Sequence, residues 1–271
     1  MNKTTKPLKY IFENSFQQTW KEIKHKFPKN IHSSIWNNVS KFLDCGDISR
    51  GYTAFKCNKC SHIHIVGFSC KSRLCSSCGK IYAENWALKL KDELLNVEHI
   101  HATFSLPIGF CRDFFFYNRS KLTNLANAAY QALKYSLKKL GIHSFGLIIN
   151  IHTFARNLDW NPHIHCILTF GGYDKNQKRK TIKTIPYPVL KKSWQKCSLD
   201  IIAKYAKDNN HRNLKNKISL CYQKYKNGFY VNSDKKINNI FEVAKYISRY
   251  LARPTIAEYI ITNITDSTVT F

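Results

Sequence analysis

Three sets of side chains in this sequence have the types and spacings for chemistry. The first heads the apolar run "NPHIHCILTFGG" at residues 161–172, where His163 and His165 stand two apart. Side chains alternate across a strand, so His163, His165, Ile167 and Thr169 share one face, and Ile164, Cys166, Leu168 and Phe170 the other. The apolar face suits a core, which leaves the imidazoles facing outward as candidate metal ligands. Surface histidines on a strand are the plainer alternative. The preceding run, "FGLIINIHTF" at 145–154, carries Asn150 and His152 on one face, and an antiparallel hairpin sets His152 beside the pair. Three neutral imidazoles leave open positions on a divalent ion, the arrangement of a catalytic rather than a closed site. His101, in the run "HIHATFSLP", competes as third ligand. A nucleotide-hydrolase histidine triad requires a further histidine at 167, where this chain has Ile167.

The second set is cysteine. "CNKCSHIHIVGFSCKSRLCSSCG" holds two C-x-x-C pairs, Cys57/Cys60 and Cys75/Cys78, with fourteen residues between them. Each knuckle delivers two thiolates, and four converging thiolates make a structural Zn²⁺ site. Cys45 and Cys70 complicate the set, since either can replace a ligand. His62 and His64 are further substitutes. Lys71 and Arg73 lie between the pairs, placed to meet phosphates or, equally, to line a solvated loop. A zinc deaminase also uses C-x-x-C, but it needs an upstream His-x-Glu and a proline before the first cysteine, and this chain has neither.

The third set is Tyr246 and Tyr250 in "INNIFEVAKYISRYLARP". Ile237, Ile240, Phe241, Ala244, Ile247 and Leu251 form a helical apolar stripe. The two tyrosines, four apart, stack on a face away from it, among Lys245, Arg249 and Arg253. By themselves they read as surface tyrosines; beside a metal site they become candidate nucleophiles. A phenol, with a pKa of about 10, needs activation before it attacks phosphorus.

The elements that must position these groups follow from patterning. Residues 8–43 read as two helices, the second with Ile31, Ile35, Val39 and Phe42 on one stripe. Residues 84–97 read as a helix with Ala87, Leu90, Leu94 and Val97 on one side. A strand is expected over 99–107, a helix over 118–141 along Leu122, Leu125, Ala129, Leu133 and Leu140, and a left-handed cap at Gly141. Strands follow at 145–154 and 163–170, then a charged loop at 173–185, a helix at 187–208, a basic stretch, a short strand "GFYV" and a last helix over about 237–252. The resulting fold class is α+β: an N-terminal helical and zinc-ribbon module at 1–95, then a ferredoxin-like βαββαβ antiparallel sheet in a domain spanning 96–271. In that topology the first and third strands are central, which puts the strand of His163 and His165 mid-sheet.

The charge balance points to the partner. Lys and Arg number 43 against 17 Asp and Glu, a formal net charge of +26 in 271 residues. Self-repulsion of that size is consistent with an anionic partner, nucleic acid first. No run is apolar enough for a membrane span, and the start lacks a signal peptide. The cytoplasm is therefore expected, where ten cysteines suggest metal rather than disulfides.

Taken jointly, "CNKC…SCKSRLCSSCG", "HATFSLP", "IHTFARNLDWNPHIHCILTFGG" and "YISRYLARP" resemble the two-tyrosine rolling-circle transposases of bacterial insertion sequences, within the HUH (His-hydrophobic-His) endonuclease class. The motifs fall in that family's order and span about residues 40–258. The resemblance implies Mg²⁺ or Mn²⁺ on His163, His165 and a third ligand, His152 or His101. It implies attack by Tyr246 or Tyr250 on single-stranded DNA at the element ends, giving a 5′-phosphotyrosine and a free 3′-OH. It also implies a zinc module that grips DNA, with Lys71, Arg73, Arg156, Lys245, Arg249 and Arg253 as candidate phosphate contacts, and self-association as an open possibility. Members of the family usually continue beyond "RYLARP", so the end at "ITDSTVTF" reads as that of a shortened copy. Two other readings fit the same residues: a non-catalytic zinc-ribbon DNA-binding protein, and a plasmid replication initiator or relaxase.

Overall fold

The computed structural model describes residues 6–237 apart from 73, 156, 183 and 184, and then residues 242, 256, 258–265 and 267–271. The chain divides into two compact units, residues 1–92 with 245–271, and residues 93–244. No helix among the described residues is long and apolar enough to cross a membrane.

The first unit begins with the expected helical pair, α1 (Pro7–Ile23) and α2 (His32–Leu43). Pro7 opens α1, where a missing N–H costs nothing. Of the α2 stripe, Val39 and Phe42 are buried, and Phe42 meets Phe12 edge-on with ring centroids 5.5 Å apart. Leu8, Phe42, Cys75 and Cys78 centre a small core that also takes in Leu43, Leu74, Ile256 and Ile261. Between the helices and the cysteine cluster runs a two-stranded hairpin, β1 (Tyr52–Lys56) with β2 (Ile63–Gly67). Then comes α3 (Ser76–Glu93), which starts well before residue 84 because the Cys75–Cys78 knuckle is itself its first turn, closed by Gly79 N–H donating to the Cys75 carbonyl at 2.8 Å. It also stops before Leu94 and Val97, so the expected stripe is cut short.

The second unit is a four-stranded sheet with helices. Its elements are β3 (His99–Ser105), α4 (Phe110–Tyr117), α5 (Thr123–Lys138), β4 (Leu147–Phe154), β5 (Trp160–Thr169), the small hairpin β6 (Gly171–Tyr173) with β7 (Arg179–Thr181), α6 (Tyr187–Asp208), α7 (Arg212–Lys224) and β8 (Val231–Ile237). The sheet order is β4-β5-β3-β8, and all neighbours are antiparallel. This is the ferredoxin-like order, with the first and third strands, β3 and β5, at the centre.

Alternation sorts the central strands. Ile100, Ala102 and Phe104 from the first, Leu106 just past its end, and Ile164, Cys166 and Leu168 from the third, are buried in one core. Against them lie Leu125, Ala129, Leu133 and Leu137 of α5, at four-residue spacing, and Leu190, Trp194 and Ile202 of α6. Leu140, expected on the α5 stripe, is largely exposed, because the helix ends at Lys138. Gly141, at φ +74°, terminates the turn, and Ile142 N–H reaches back to the Leu137 carbonyl at 3.0 Å, as the left-handed cap requires.

Four local expectations give way. The "charged loop" at 173–185 contributes to the β6–β7 hairpin, where Gly172 approaches Ser144 so closely that a Cβ would lie 2.0 Å from its carbonyl oxygen. Within the basic stretch lies α7, whose apolar residues Leu214, Ile218 and Cys221 keep helical spacing beneath many charges. An unanticipated α4 buries Cys111, Phe114 and Phe115. The last strand starts at Val231 rather than spanning "GFYV", since Gly228, at φ +87°, turns the chain against the Lys191 backbone. Of the expected helix over about 237–252, Ile237 instead ends β8, Glu242 is described, and the rest lies outside the described residues.

Phe104 is fully buried and packs edge-on to Trp194 with centroids 5.4 Å apart. Phe104→Ala is expected to destabilise the 93–244 unit by about 3–5 kcal/mol. The exposed Phe154→Ala is expected to change stability by less than about 1 kcal/mol. Urea midpoints of the two variants against the parent chain check this.

Candidate functional site

In the second unit the polar face of the sheet carries the histidines. Pairing sets His152 opposite His163, and Asn150 opposite His165, across β4 and β5. On the other side of β5, Thr103 faces His165 and Ser105 faces His163. Cross-strand partners share a face, so these residues form two polar rows over an apolar layer. His152, His163 and His165 each present a ring nitrogen within 4.8 Å of the others. Their ring centroids lie 5.3 Å (152–163), 4.5 Å (152–165) and 4.9 Å (163–165) apart.

Hydrogen bonds fix which nitrogen faces the gap. His163 Nδ1 lies 2.6 Å from the Asn161 carbonyl, which only accepts, so Nδ1 carries the proton and Nε2 is left as a ligand atom. His165 Nδ1 lies 2.7 Å from His101 Nε2, one donating to the other, and the two rings stack at 12° with centroids 5.0 Å apart. His101 is almost fully buried. It thus stands behind His165, while the gathered third imidazole is that of His152.

Burial dominates the electrostatics. It drives the His165 pKa down to about 2, reinforced by His152, His163 and His101. Burial also lowers His163; the Asn161 carbonyl opposes this and the Arg112 charge adds to it. His99, buried behind, is lowered by burial as well. Neutral imidazoles are the form that ligates metal. Asn161 Oδ1, an acceptor, is buried with no hydrogen-bond partner among the described residues. A buried acceptor of this kind asks for a further group in the site, and with three gathered imidazoles the donor set fits a divalent cation.

In the first unit the structure gathers four thiols that differ from the expected set. Cys45, Cys70, Cys75 and Cys78 converge, while Cys57 and Cys60 sit exposed on the turn between β1 and β2. Two of the expected four are therefore replaced, because the hairpin carries the first knuckle away from the cluster. The Sγ separations are 3.7 Å for 45–75, 3.6 Å for 45–78 and 3.7 Å for 70–78. A tetrahedron with Zn–S arms of about 2.3 Å has edges of about 3.8 Å, so the cluster fits Zn²⁺.

Backbone N–H groups already point at these sulfurs: Cys70 to Cys45 at 3.4 Å, Ser72 to Cys70 at 3.3 Å and Cys78 to Cys75 at 3.5 Å. The N-terminus of α3, which bears Cys75 and Cys78, adds its positive dipole end. Without a cation the thiols cannot all ionise. Burial pushes Cys70 and Cys75 up. Burial also pushes Cys45 up, but the Cys70 backbone bond and the neighbouring thiols outweigh it and leave that thiol below its ordinary value.

Of the proposed phosphate contacts, Lys71 is exposed, with a left-handed φ of 51°. Arg73, Arg156, Lys245, Arg249 and Arg253 lie outside the described residues, as do Tyr246 and Tyr250. The signal for Cys45 and Cys70 was present in the sequence as six cysteines within 34 residues, but spacing alone favours the two regular pairs.

Residues 15–106 match the family described as "Transposase zinc-binding domain", and residues 146–271 the one described as "Putative transposase". The chain is similar to the transposase for insertion sequence element IS801 of Pseudomonas savastanoi pv. phaseolicola, with 26% identity over 264 residues, 94% of this chain and 63% of that protein. It is also similar to "Putative transposase y4qJ" of Sinorhizobium fredii, with 26% identity over 133 residues, 48% of this chain and 33% of that protein. The chain thus spans less than two thirds of the length of these curated relatives. No solved structure matches.

The histidine cluster sets a pH dependence. In the unfolded chain His165 takes up a proton below about pH 6.5, whereas in the fold it stays neutral down to about pH 2. Over that window the unfolded state binds more protons, so stability falls as pH falls. Metal-free protein is expected to show a declining urea midpoint from about pH 7 to 5, and His165→Asn to flatten the slope.

Proposed function

We propose that the chain belongs to the insertion-sequence transposases that join an N-terminal zinc-binding domain to a two-tyrosine domain, and that it cleaves and rejoins single-stranded DNA through a covalent tyrosine intermediate. The observation that carries the reading is the convergence of His152, His163 and His165 on the polar face of the four-stranded sheet. When held there, Mg²⁺ or Mn²⁺ supplies Lewis-acid polarisation of a scissile phosphate.

The chain's own residues do the rest. His163 and His165 present Nε2 atoms at a spacing fixed by one strand, with the Asn161 carbonyl and His101 holding the rings. The Oη of Tyr246 or Tyr250 attacks phosphorus and gives up its proton to solvent. A P–Oη bond forms and the P–O3′ bond breaks. The 3′ oxygen leaves with a proton as a free 3′-OH, and the DNA 5′ end stays on tyrosine. Rejoining is the reverse attack by a 3′-OH, so no nucleotide cofactor is consumed. Two tyrosines four residues apart in the sequence allow one to hold an end while the other takes the next. The net charge of +26 supports a polyanionic partner, and the zinc module, with Lys71, supports a second grip on DNA.

Incubating the protein with single-stranded DNA from the element's ends and Mn²⁺ should give a protein-linked band on a denaturing gel. Replacing both Tyr246 and Tyr250 with Phe should abolish the adduct and leave binding intact. An adduct that persists in the double variant overturns the assignment, and binding without an adduct in the parent chain favours the non-catalytic reading.

Imidazole ligands favour later divalent metals over Mg²⁺, so Mn²⁺ should bind more tightly than Mg²⁺. As a residue holding a ligand rather than the metal, His101→Ala should weaken Mn²⁺ binding by about 10–100-fold, read by calorimetry. Unchanged affinity would remove His101 from the site.

A further inference from the structure

The zinc cluster leaves one knuckle unused. Cys57 and Cys60 lie on the turn joining β1 to β2, both exposed, and outside the Cys45, Cys70, Cys75 and Cys78 set. The turn has the build of a metal knuckle. Backbone N–H groups of Cys60 and Lys59 bond to the Cys57 sulfur and hold its thiol below the ordinary value. Cys57 N–H donates to the His62 carbonyl at 2.8 Å, and Ser61 N–H to the Cys57 carbonyl at 2.9 Å, with Ser61 in a left-handed φ of 58°. The ladder thus continues one step past Lys56↔Ile63 and sets Cys57 opposite His62. Period two then puts His64 on the same face as His62 and Cys57. Both histidines are exposed.

A second observation is independent of the donors. Every residue of β1, and all of β2 but Gly67, is exposed on both faces, including Tyr52, Phe55, Ile63, Ile65 and Val66. A two-stranded hairpin with no buried face is marginal in water. Its base is tied down: Gly46 N–H donates to the Phe68 carbonyl at 3.0 Å, and Cys70 follows directly into the thiol cluster. Its tip has no comparable tie among the described residues, and metal binding couples to local folding.

We propose that Cys57, Cys60, His62 and His64 form a second zinc site, a Cys₂His₂ clasp at the hairpin tip, separate from the four-thiol cluster. The four donors are not gathered as they stand, and all four side chains are exposed and free to rearrange around an ion. Two thiolates and two neutral imidazoles suit tetrahedral Zn²⁺, and deprotonation of the thiols on binding releases their protons to solvent. The site does not depend on the histidine centre of the other unit or on the tyrosine chemistry.

The test is metal stoichiometry by native mass spectrometry after loading with zinc, on the full chain carrying His163→Ala/His165→Ala as the parent, so that the histidine centre adds no ion. The parent should carry two zinc ions. Cys57→Ser/Cys60→Ser and His62→Ala/His64→Ala should each carry one. Cys45→Ser should lose the cluster ion and keep the hairpin ion. One ion in the parent, or two in either hairpin variant, overturns the proposal. Alkylation mapped by peptide mass guards against misfolding: zinc should protect Cys57 and Cys60 in the parent and in Cys45→Ser, and fail to protect them in His62→Ala/His64→Ala. Equal labelling of Cys57 and Cys60 in the parent with and without zinc also overturns it.

Discussion

The alternation of side chains along β5 is the constraint on which the second unit turns. One strand carries Ile164, Cys166 and Leu168 into the core and His163 and His165 out of it. Because the strand is hydrogen-bonded on both edges, to β4 and to β3, a slip of one residue would bury both imidazoles and expose the core. The apolar layer under α5 and α6 therefore sets the register, and the register sets the spacing of the histidine cluster. Fold stability and ligand spacing are one property here.

The first unit solves a similar problem with less material. Its core is small, and two of its buried members, Cys75 and Cys78, belong to the thiol cluster. Packing and ligation overlap, as expected where a short segment cannot bury enough apolar area to hold itself. Cys45, just beyond α2, and Cys75 and Cys78, at the start of α3, link elements that the chain alone joins only through the exposed hairpin.

Much of this was legible in the sequence because period two and period 3.6 are strong signals. Phe104, Leu106, Ile164 and Leu168, and the α5 residues Leu125, Ala129 and Leu133, fall on the faces that their spacing gives. The helical cap at Gly141 is likewise written in the chain. What was hidden depends on three-dimensional proximity. Nothing local separates Cys57 from Cys45 as a cluster thiol, since the hairpin that removes Cys57 is itself a tertiary outcome. The place of His101 behind His165 needs the β3–β5 register, which pairs Thr103 with His165 and brings the His101 ring alongside. In α7, lysines and arginines masked a short apolar stripe, and in α4 a run of aromatic residues carried no single period.

The turn after Phe154 has a consequence of its own. It is closed by Ala155 N–H donating to the Asp159 carbonyl at 2.9 Å, and the strands are already paired at Phe154 and Trp160 before the chain reaches it. The histidine pair His152 and His163 comes next in the ladder, past a register shift, so strand pairing rather than the turn sets the imidazole spacing. A longer turn at this place would alter what lies at that end of the sheet while the ladder still carries the imidazoles.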